Sequence, residues 1–340
     1  LLIRSPYKIK IIGDKSLSRR DFLRVIEPLK KFGVNFYPKN KTTLPLYIKG
    51  NDYLRPIKYH ENKGSAQVKS CIMLAALNVP GKTKIIAKNS RDHTEVLFKY
   101  LKIPLKITKK NNLSLIKIES KNNIKSFNYK IPSDISSSAF FIVLTLLAKN
   151  ASLTIKNVNI NKSRIGSIDI LNKMGAKITF KNKRKYKGEE IADIHVKSAK
   201  SLNSIKCPTK YNSAAIDEFL IIFLVAAKSK GVSFFRDLSE LNQKESPRLK
   251  LGSKILNMMG IKTELTNHSI KIYGNPKLEL KKNYEIKNYM KDHRIFMTCV
   301  IAALTLGGKW KIHNPDSIKT SFPSFLKLIK QLGGKVTKWN

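Results

Sequence analysis

Five times along the chain an amphipathic helical pattern meets a helix-breaking residue and then a short alternating segment, and this repeat limits the fold more than any other feature. The copies are VIEPLKKFGVNF from Val25, VLFKYLKIPLKI from Val96, DILNKMGAKITF from Asp169, KILNMMGIKTEL from Lys254 and FLKLIKQLGGKV from Phe325. The breaks fall at Gly33, Pro104, Gly175, Gly260 and Gly333, at intervals of 71, 71, 85 and 73 residues. Glycine reaches the left-handed backbone that closes a helix, and proline ends one by a different route. A period of this length reports one supersecondary unit used again and again.

Four other segments lie between these copies: SAQVKSCIMLAALNVPGKTKII from Ser65, SDISSSAFFIVLTLLAKNASLTI from Ser133, AIDEFLIIFLVAAKSKGVSFF from Ala215 and DHRIFMTCVIAALTLGGKWKI from Asp292. Each opens on small or polar residues, turns into an almost wholly apolar helix, and ends in a β-rich strand. A helix that is apolar on every side has to be packed on every side. The expected unit is therefore strand, buried helix, strand, amphipathic helix, strand, about every 70 residues. Five amphipathic helices against four buried ones place the start of the chain inside a unit. A polar stretch, KNNIKSFNYK over residues 121–130, precedes the second buried helix, and it divides the chain into expected domains 1–132 and 133–340.

A length of 340 residues accommodates about two domains with cores of their own. The longest apolar runs, Phe219 to Ala227 and Ala139 to Ala148, are about half the ~20 residues a membrane span needs. The opening LLIRSPYKIKIIGDKS has no signal-peptide pattern. Cys71, Cys207 and Cys299 are widely spaced and form neither a disulfide framework nor a zinc pattern, which fits a cytoplasmic protein. The formal net charge is +43, from 66 Lys and Arg against 23 Asp and Glu. Only 11 of the basic residues are Arg, and the lysines are dispersed among Asn, Ile and Ser with no basic block, finger spacing or RNA-binding aromatic motif. The charge is read as compositional bias, and nucleic-acid binding is not expected.

Chemistry is sought at the polar openings of the buried helices, because helix N-termini present unpaired N–H groups to anions. Ser65, Ala66 and Gln67 offer a hydroxyl and an amide there, although a cap explains Ser65 as well. Asp217 and Glu218 open an apolar helix, and capping accounts for only one of them. Arg294, followed by IFMTCVIAALTL, needs an anionic partner, either a carboxylate of the protein or a ligand. Lys244-Glu245-Ser246-Pro247-Arg248 mixes an acid between two cations, in a pattern that also suits a solvated turn. Arg20 and the pair Ser90-Arg91 stand before the first two amphipathic helices. No P-loop, dinucleotide, HExxH or CxxC pattern is present, and the six histidines have no ligand spacing. A small, multiply anionic substrate suits such a set of cations and acids better than a polymer does.

Seven motifs in order, SAQVKS, SRDHTE, SDISSSAFF, AIDEF, KESPRL, DHRIFM and TSFPSF, resemble those of the 5-enolpyruvylshikimate-3-phosphate synthases, and they span essentially the whole chain. The resemblance implies an α/β, two-domain enolpyruvyl transferase fold of repeated βαβαββ units around pseudo-threefold axes, with about five of six units represented. It implies transfer of the enolpyruvyl group of phosphoenolpyruvate to the 5-hydroxyl of shikimate 3-phosphate with release of phosphate, through a tetrahedral intermediate. No cofactor or metal is implied. The partners are these two small anionic substrates, with no nucleic acid, no membrane and a monomeric state.

By the same resemblance Asp217 is the base, and Lys244 and Glu245 are proton-transfer groups. Ser65, Ala66, Gln67, Ser90, Arg91, Asp217 and Lys244 meet shikimate 3-phosphate. Arg20, Gln67, Arg248 and Arg294 meet phosphoenolpyruvate. Three departures stand out: Pro247 where Asp is usual, Asp21 where Pro is usual, and further phosphate contacts expected ahead of Leu1. Weak or no activity is expected on those grounds. The related UDP-N-acetylglucosamine enolpyruvyl transferases carry a Cys in the loop that here reads Gly13-Asp14-Lys15-Ser16-Leu17-Ser18-Arg19-Arg20, and this loop has none.

Overall fold

The computed structural model describes residues 1–14, 17–120 and 123–337; Lys15 and Ser16 of the loop before Arg20, and Lys121 and Asn122 of the polar stretch, lie outside the described residues. The chain divides into two compact units, residues 1–130 with 185–189 and residues 131–184 with 190–340. Each unit has its own apolar core.

The first unit contains helices α1 (Leu23–Phe32), α2 (Ala66–Ala76) and α3 (His93–Tyr100). One sheet joins β1 (Lys8–Ile11), β2 (Asn35–Tyr37) and β3 (Leu46–Lys49) in the order β1-β3-β2, all antiparallel. The other joins β4 (Lys58–Glu61), β5 (Lys82–Lys88), β6 (Leu105–Lys110) and β7 (Leu113–Glu119) in the order β4-β5-β7-β6. In it β4 and β5 run parallel, with Glu61 opposite Ala87, while β7 is antiparallel to both neighbours. A parallel pair needs a crossover, and α2 supplies it.

The second unit contains α4 (Ile135–Leu147), α5 (Gly166–Lys173), α6 (Asn212–Ala215), α7 (Phe219–Ala227), α8 (Arg248–Met258), α9 (His293–Leu306) and α10 (Phe325–Gln331). Its sheets are β8 (Ser152–Asn159), β9 (Thr179–Tyr186) and β10 (Glu189–Lys197) in the order β8-β10-β9; β11 (Gly231–Phe235), β12 (Thr263–Leu265) and β13 (Ile270–Gly274) in the order β11-β13-β12; and the parallel pair β14 (Leu280–Ile286) and β15 (Gly307–Ile312). Helices α4, α7 and α9 pack on one another. All nine residues of α7 are buried, and each fully buried Phe, Leu, Ile or Val there contributes about 1.5–3 kcal/mol. This is the fully packed helix its sequence requires. Helix α2 departs from that expectation, since Leu74 stays 39% exposed and Gln67 is exposed as well.

The repeat closes its amphipathic helices in one way throughout. In the five copies a backbone N–H reaches back across the last turn, from Val34 to Leu29 O (3.2 Å), Ile103 to Phe98 O (2.9 Å), Ala176 to Leu171 O (3.0 Å), Ile261 to Leu256 O (3.0 Å) and Gly334 to Ile329 O (2.9 Å). This closure needs a left-handed residue just before the donor. Gly33, Gly175, Gly260 and Gly333 supply it, with φ between 82° and 109°. In the second copy the residue is Lys102, at φ 53°. Pro104 therefore does not end that helix, which has stopped at Tyr100 two residues before the turn. After the amphipathic helices the chain also forms two strands where the sequence pattern showed one, as in β6–β7 and β12–β13. No helix among the described residues is long and apolar enough to cross a membrane.

Candidate active site

Three segments distant in sequence bring charged side chains together in the second unit: the turn before α7, the segment entering α8, and the N-terminus of α9. Arg248, the first residue of α8, is the centre, with a side chain only 1% exposed. Its Nε donates to Asp292 Oδ2 at 2.8 Å, and its Nη2 to Asp292 Oδ1 at 3.4 Å. Nη2 also donates to Glu245, and Nη1 to Asp217 Oδ1 at 3.5 Å. Burial opposes the charge on Arg248, but the carboxylates of Asp292, Glu245 and Asp217 outweigh it and hold the guanidinium above its ordinary pKa. The segment Lys244 to Arg248 is thus no solvated turn, because Ser246 and Arg248 are both buried and Ser246 Oγ donates to Asp292 Oδ2 at 2.8 Å. Pro247 sits just before α8, where the first turn of a helix does not need its missing N–H.

Lys244 Nζ lies 3.5 Å from Asp217 Oδ1 and 3.2 Å from Glu240 Oε1. Asp217 thereby stands between two cations, Lys244 and Arg248, at the same distance from each. Arg294 follows Asp292, which caps α9 by accepting from the Arg294 N–H at 2.9 Å. The Arg294 side chain donates through Nη1 to the Asp217 carbonyl at 2.8 Å and lies 3.6 Å from Glu218 Oε1. The anionic partner that its apolar setting demands is therefore supplied by the protein. Glu218 is fully buried; burial pushes its carboxyl above the ordinary range, against the pull of Arg294 and of Ser136, whose hydroxyl donates to it. Arg164 Nη2 in turn donates to Ser136 Oγ at 2.6 Å and to Asp134 Oδ1 at 3.2 Å. His293, beside Arg294, is lowered by burial first and then by that arginine.

In the first unit the predicted residues stand at two loops of equal length, each leaving the carboxyl end of a parallel strand and entering a helix: residues 62–65 between β4 and α2, and residues 89–92 between β5 and α3. Carboxyl ends of parallel strands followed by helix N-termini are natural anion sites. Ser65 is the cap of α2, its hydroxyl accepting from the Val68 N–H at 3.3 Å. Ala66 is half-buried and Gln67 exposed in the first turn. Ser90 Oγ is buried with no hydrogen-bond partner among the described residues, while Arg91 beside it is half-buried. Arg20 is exposed in the turn ahead of α1. The carboxylate of Asp21 is engaged by the Leu23 N–H at 2.8 Å and lies below its ordinary pKa, chiefly through that bond.

Asp217, Lys244, Glu245, Arg248 and Arg294 are thus gathered in the second unit, and Arg20, Ser65, Ala66, Gln67, Ser90 and Arg91 belong to the first. Sequence reasoning left several members of the cluster without a role, Arg164 and Ser246 among them. Asp292 was hidden by reading DHR for its arginine, Glu218 by its likeness to a second cap, and Ser136 by its place in a serine run. For Asp292 and Glu218 the usable signal was an acid at the cap of a mostly apolar helix, while Ser136, inside α4, carried none.

The family model for EPSP synthase (3-phosphoshikimate 1-carboxyvinyltransferase) matches residues 2–329. The chain is 40% identical over 342 aligned positions to the 3-phosphoshikimate 1-carboxyvinyltransferase of Ruthia magnifica subsp. Calyptogena magnifica, covering 100% of this chain and 76% of that protein. It is 36% identical to the protein of the same name from Hydrogenovibrio crunogenus, covering 99% of this chain and 75% of the other. An EPSP synthase structure from Acinetobacter baumannii superposes with a TM-score of 0.85 at 35% identity, over 97% of this chain and 74% of that one. The enolpyruvyl transferase NikO from Streptomyces tendae shares the fold alone, with a TM-score of 0.70 at 12% identity over 98% of this chain and 74% of that one.

Proposed function

The chain belongs to the EPSP synthase family and is a transferase of the shikimate pathway, and from that premise we propose how its residues divide the reaction. The substrates are phosphoenolpyruvate and shikimate 3-phosphate, and the reaction moves the enolpyruvyl group onto the 5-hydroxyl with release of phosphate. Asp217 takes the proton of that hydroxyl as its oxygen bonds to the central carbon of phosphoenolpyruvate. Lys244 and Glu245 exchange the proton that the methylene carbon gains in the tetrahedral intermediate and loses again as phosphate departs. Arg20, Gln67, Arg248 and Arg294 receive phosphoenolpyruvate; an anion meeting Arg248 exchanges its present contacts to Glu245 and Asp217. Ser65, Ala66, Gln67, Ser90 and Arg91 receive shikimate 3-phosphate, with Asp217 and Lys244 at its hydroxyls.

The observation that carries this reading is the convergence of Asp217, Lys244, Glu245 and Arg248, with Asp217 Oδ1 3.5 Å from each of two cations. A carboxylate so placed is oriented for proton transfer, and neighbouring cations stabilise developing negative charge. The domains are proposed as 1–132 and 133–340, and the protein as a cytoplasmic monomer that does not bind nucleic acid. The test is phosphate release from shikimate 3-phosphate plus phosphoenolpyruvate, with binding of each substrate measured in parallel. Against the weak turnover expected of this chain, Asp217→Ala is expected to lower kcat further, by about 100-fold or more, the usual worth of a positioned base. Failure of the chain to bind either substrate overturns the site assignment.

A further inference from the structure

We propose that Lys69 and Glu95 are positioning residues that hold the two anion-binding loops of the first unit in register. The inference rests on the reading of Ser65–Gln67 and Ser90–Arg91 as the shikimate 3-phosphate site. Lys69 lies four residues after Ser65, and Glu95 four residues after Arg91, so each stands one helical turn behind its loop. Lys69 Nζ meets Glu95 Oε1 at 2.6 Å, with side chains only 3% and 7% exposed. Beside this pair the hydroxyls of Ser70 and Thr94 share a hydrogen bond of 2.7 Å. Two adjacent bonds thus tie the N-terminal part of α2 to the first turn of α3.

Stability alone is a poor reason for such a pair. Two charges lose their hydration on burial, and a well-packed apolar pair of similar volume is often as stable or more so. The cost is sharpened here because Glu95 Oε2 is buried with no hydrogen-bond partner among the described residues. A buried ion pair adds to the apolar packing a bond with a set direction and length, and fixing register is the best-attested use of such pairs. The loops themselves are braced from the other side. The carboxylate of Glu61, 4% exposed, accepts from the Lys63 and Gly64 N–H groups at 2.9 and 2.7 Å, ahead of Ser65. Asn89 Oδ1 accepts from Ser114 Oγ at 3.1 Å, ahead of Ser90. With both loops pinned at their strand ends, the contact between α2 and α3 decides how the hydroxyl of Ser65 and the unpartnered hydroxyl of Ser90 stand to one another. One substrate held by both loops feels that spacing directly.

The experiment is calorimetric titration of shikimate 3-phosphate into the full chain and its variants, with Tm measured on the same samples. The double variant Lys69→Met with Glu95→Leu replaces the pair by apolar side chains; it is expected to keep its Tm and to bind about tenfold or more weakly, in line with the loss of about one hydrogen bond to a charged group. Ser70→Ala removes only the hydroxyl bond and is expected to weaken binding about threefold, the worth of one net hydrogen bond. Lys69→Arg keeps the charge and is expected to retain more affinity than Lys69→Met. A merely structural pair would lower the binding stoichiometry or the Tm and leave the Kd of the folded fraction unchanged. A wild-type Kd in either the double variant or Ser70→Ala overturns the proposal while leaving the substrate site standing. Absence of binding by the unaltered chain overturns the substrate site and this inference with it.

Discussion

Asp292→Asn is the most informative perturbation of the second unit, because it changes one charge while preserving shape. Asp292 is fully buried and serves three groups: the Arg248 guanidinium at 2.8 Å, the Ser246 hydroxyl at 2.8 Å and the Arg294 N–H at 2.9 Å. Asparagine caps a helix as well as aspartate does, so α9 should lose little at its N-terminus. The loss falls on Arg248. Removing one partner of a buried ion pair costs about 3–5 kcal/mol, because the other charge is left buried. Glu245 and Asp217 still contact Arg248, which places the expected loss near the lower end, about 3 kcal/mol. At about 2–4 °C per kcal/mol for a domain of this size, the Tm should fall by about 6–12 °C. Denaturant titration should show a lower midpoint with an unchanged slope. A loss below about 1 kcal/mol would refute the reasoning, since Glu245 and Asp217 would then suffice to balance Arg248.

Three further outcomes are expected. The thiols of Cys71 and Cys207 are pushed up to about 11, and that of Cys299 to about 12, all by burial; a thiol reagent at pH 8 should label none of them quickly in the native protein and all three once it is unfolded. The Asp193 carboxyl is held well below the usual range, first by the Asn157 N–H and then by Asn182 and Lys156. Its stabilisation is therefore complete above the unfolded value of about 3.9 and lost as pH falls below it; Asp193→Asn should flatten the acid limb of stability against pH, and coincident limbs would count against this. A Cβ on Gly274 would sit 2.2 Å from the Ser229 carbonyl oxygen and 2.6 Å from that of Ala226. Since both are backbone atoms that cannot rotate away, Gly274→Ala should cost about 1–3 kcal/mol in a denaturant titration.

Where the sequence was legible, the requirement was local. Gly33, Gly175, Gly260 and Gly333 mark helix ends because a left-handed residue is needed there whatever surrounds it. Lys102 meets the same requirement without the glycine that would have announced it, so the neighbouring Pro104 drew attention instead. The wholly apolar run of α7 is readable as buried because no exposed face is available to it. Helix α2 was harder, because Leu74 is apolar and yet 39% exposed, and single exposed apolar side chains carry no pattern.

The amino-acid sequence by itself determined the repeat, the class of fold, the family and the residues at which chemistry is to be sought, because each depends on local backbone demands or on short ordered motifs. Only the tertiary structure decided which of those residues meet. Arg294 reaches the carbonyl of Asp217, 77 positions away, and Arg248 reaches Asp292, 44 positions away. Each of these charges has several possible partners in the sequence. What selects among them is the packing of α7, α8 and α9, which brings their N-terminal ends together, and the cost of burying any of those charges alone.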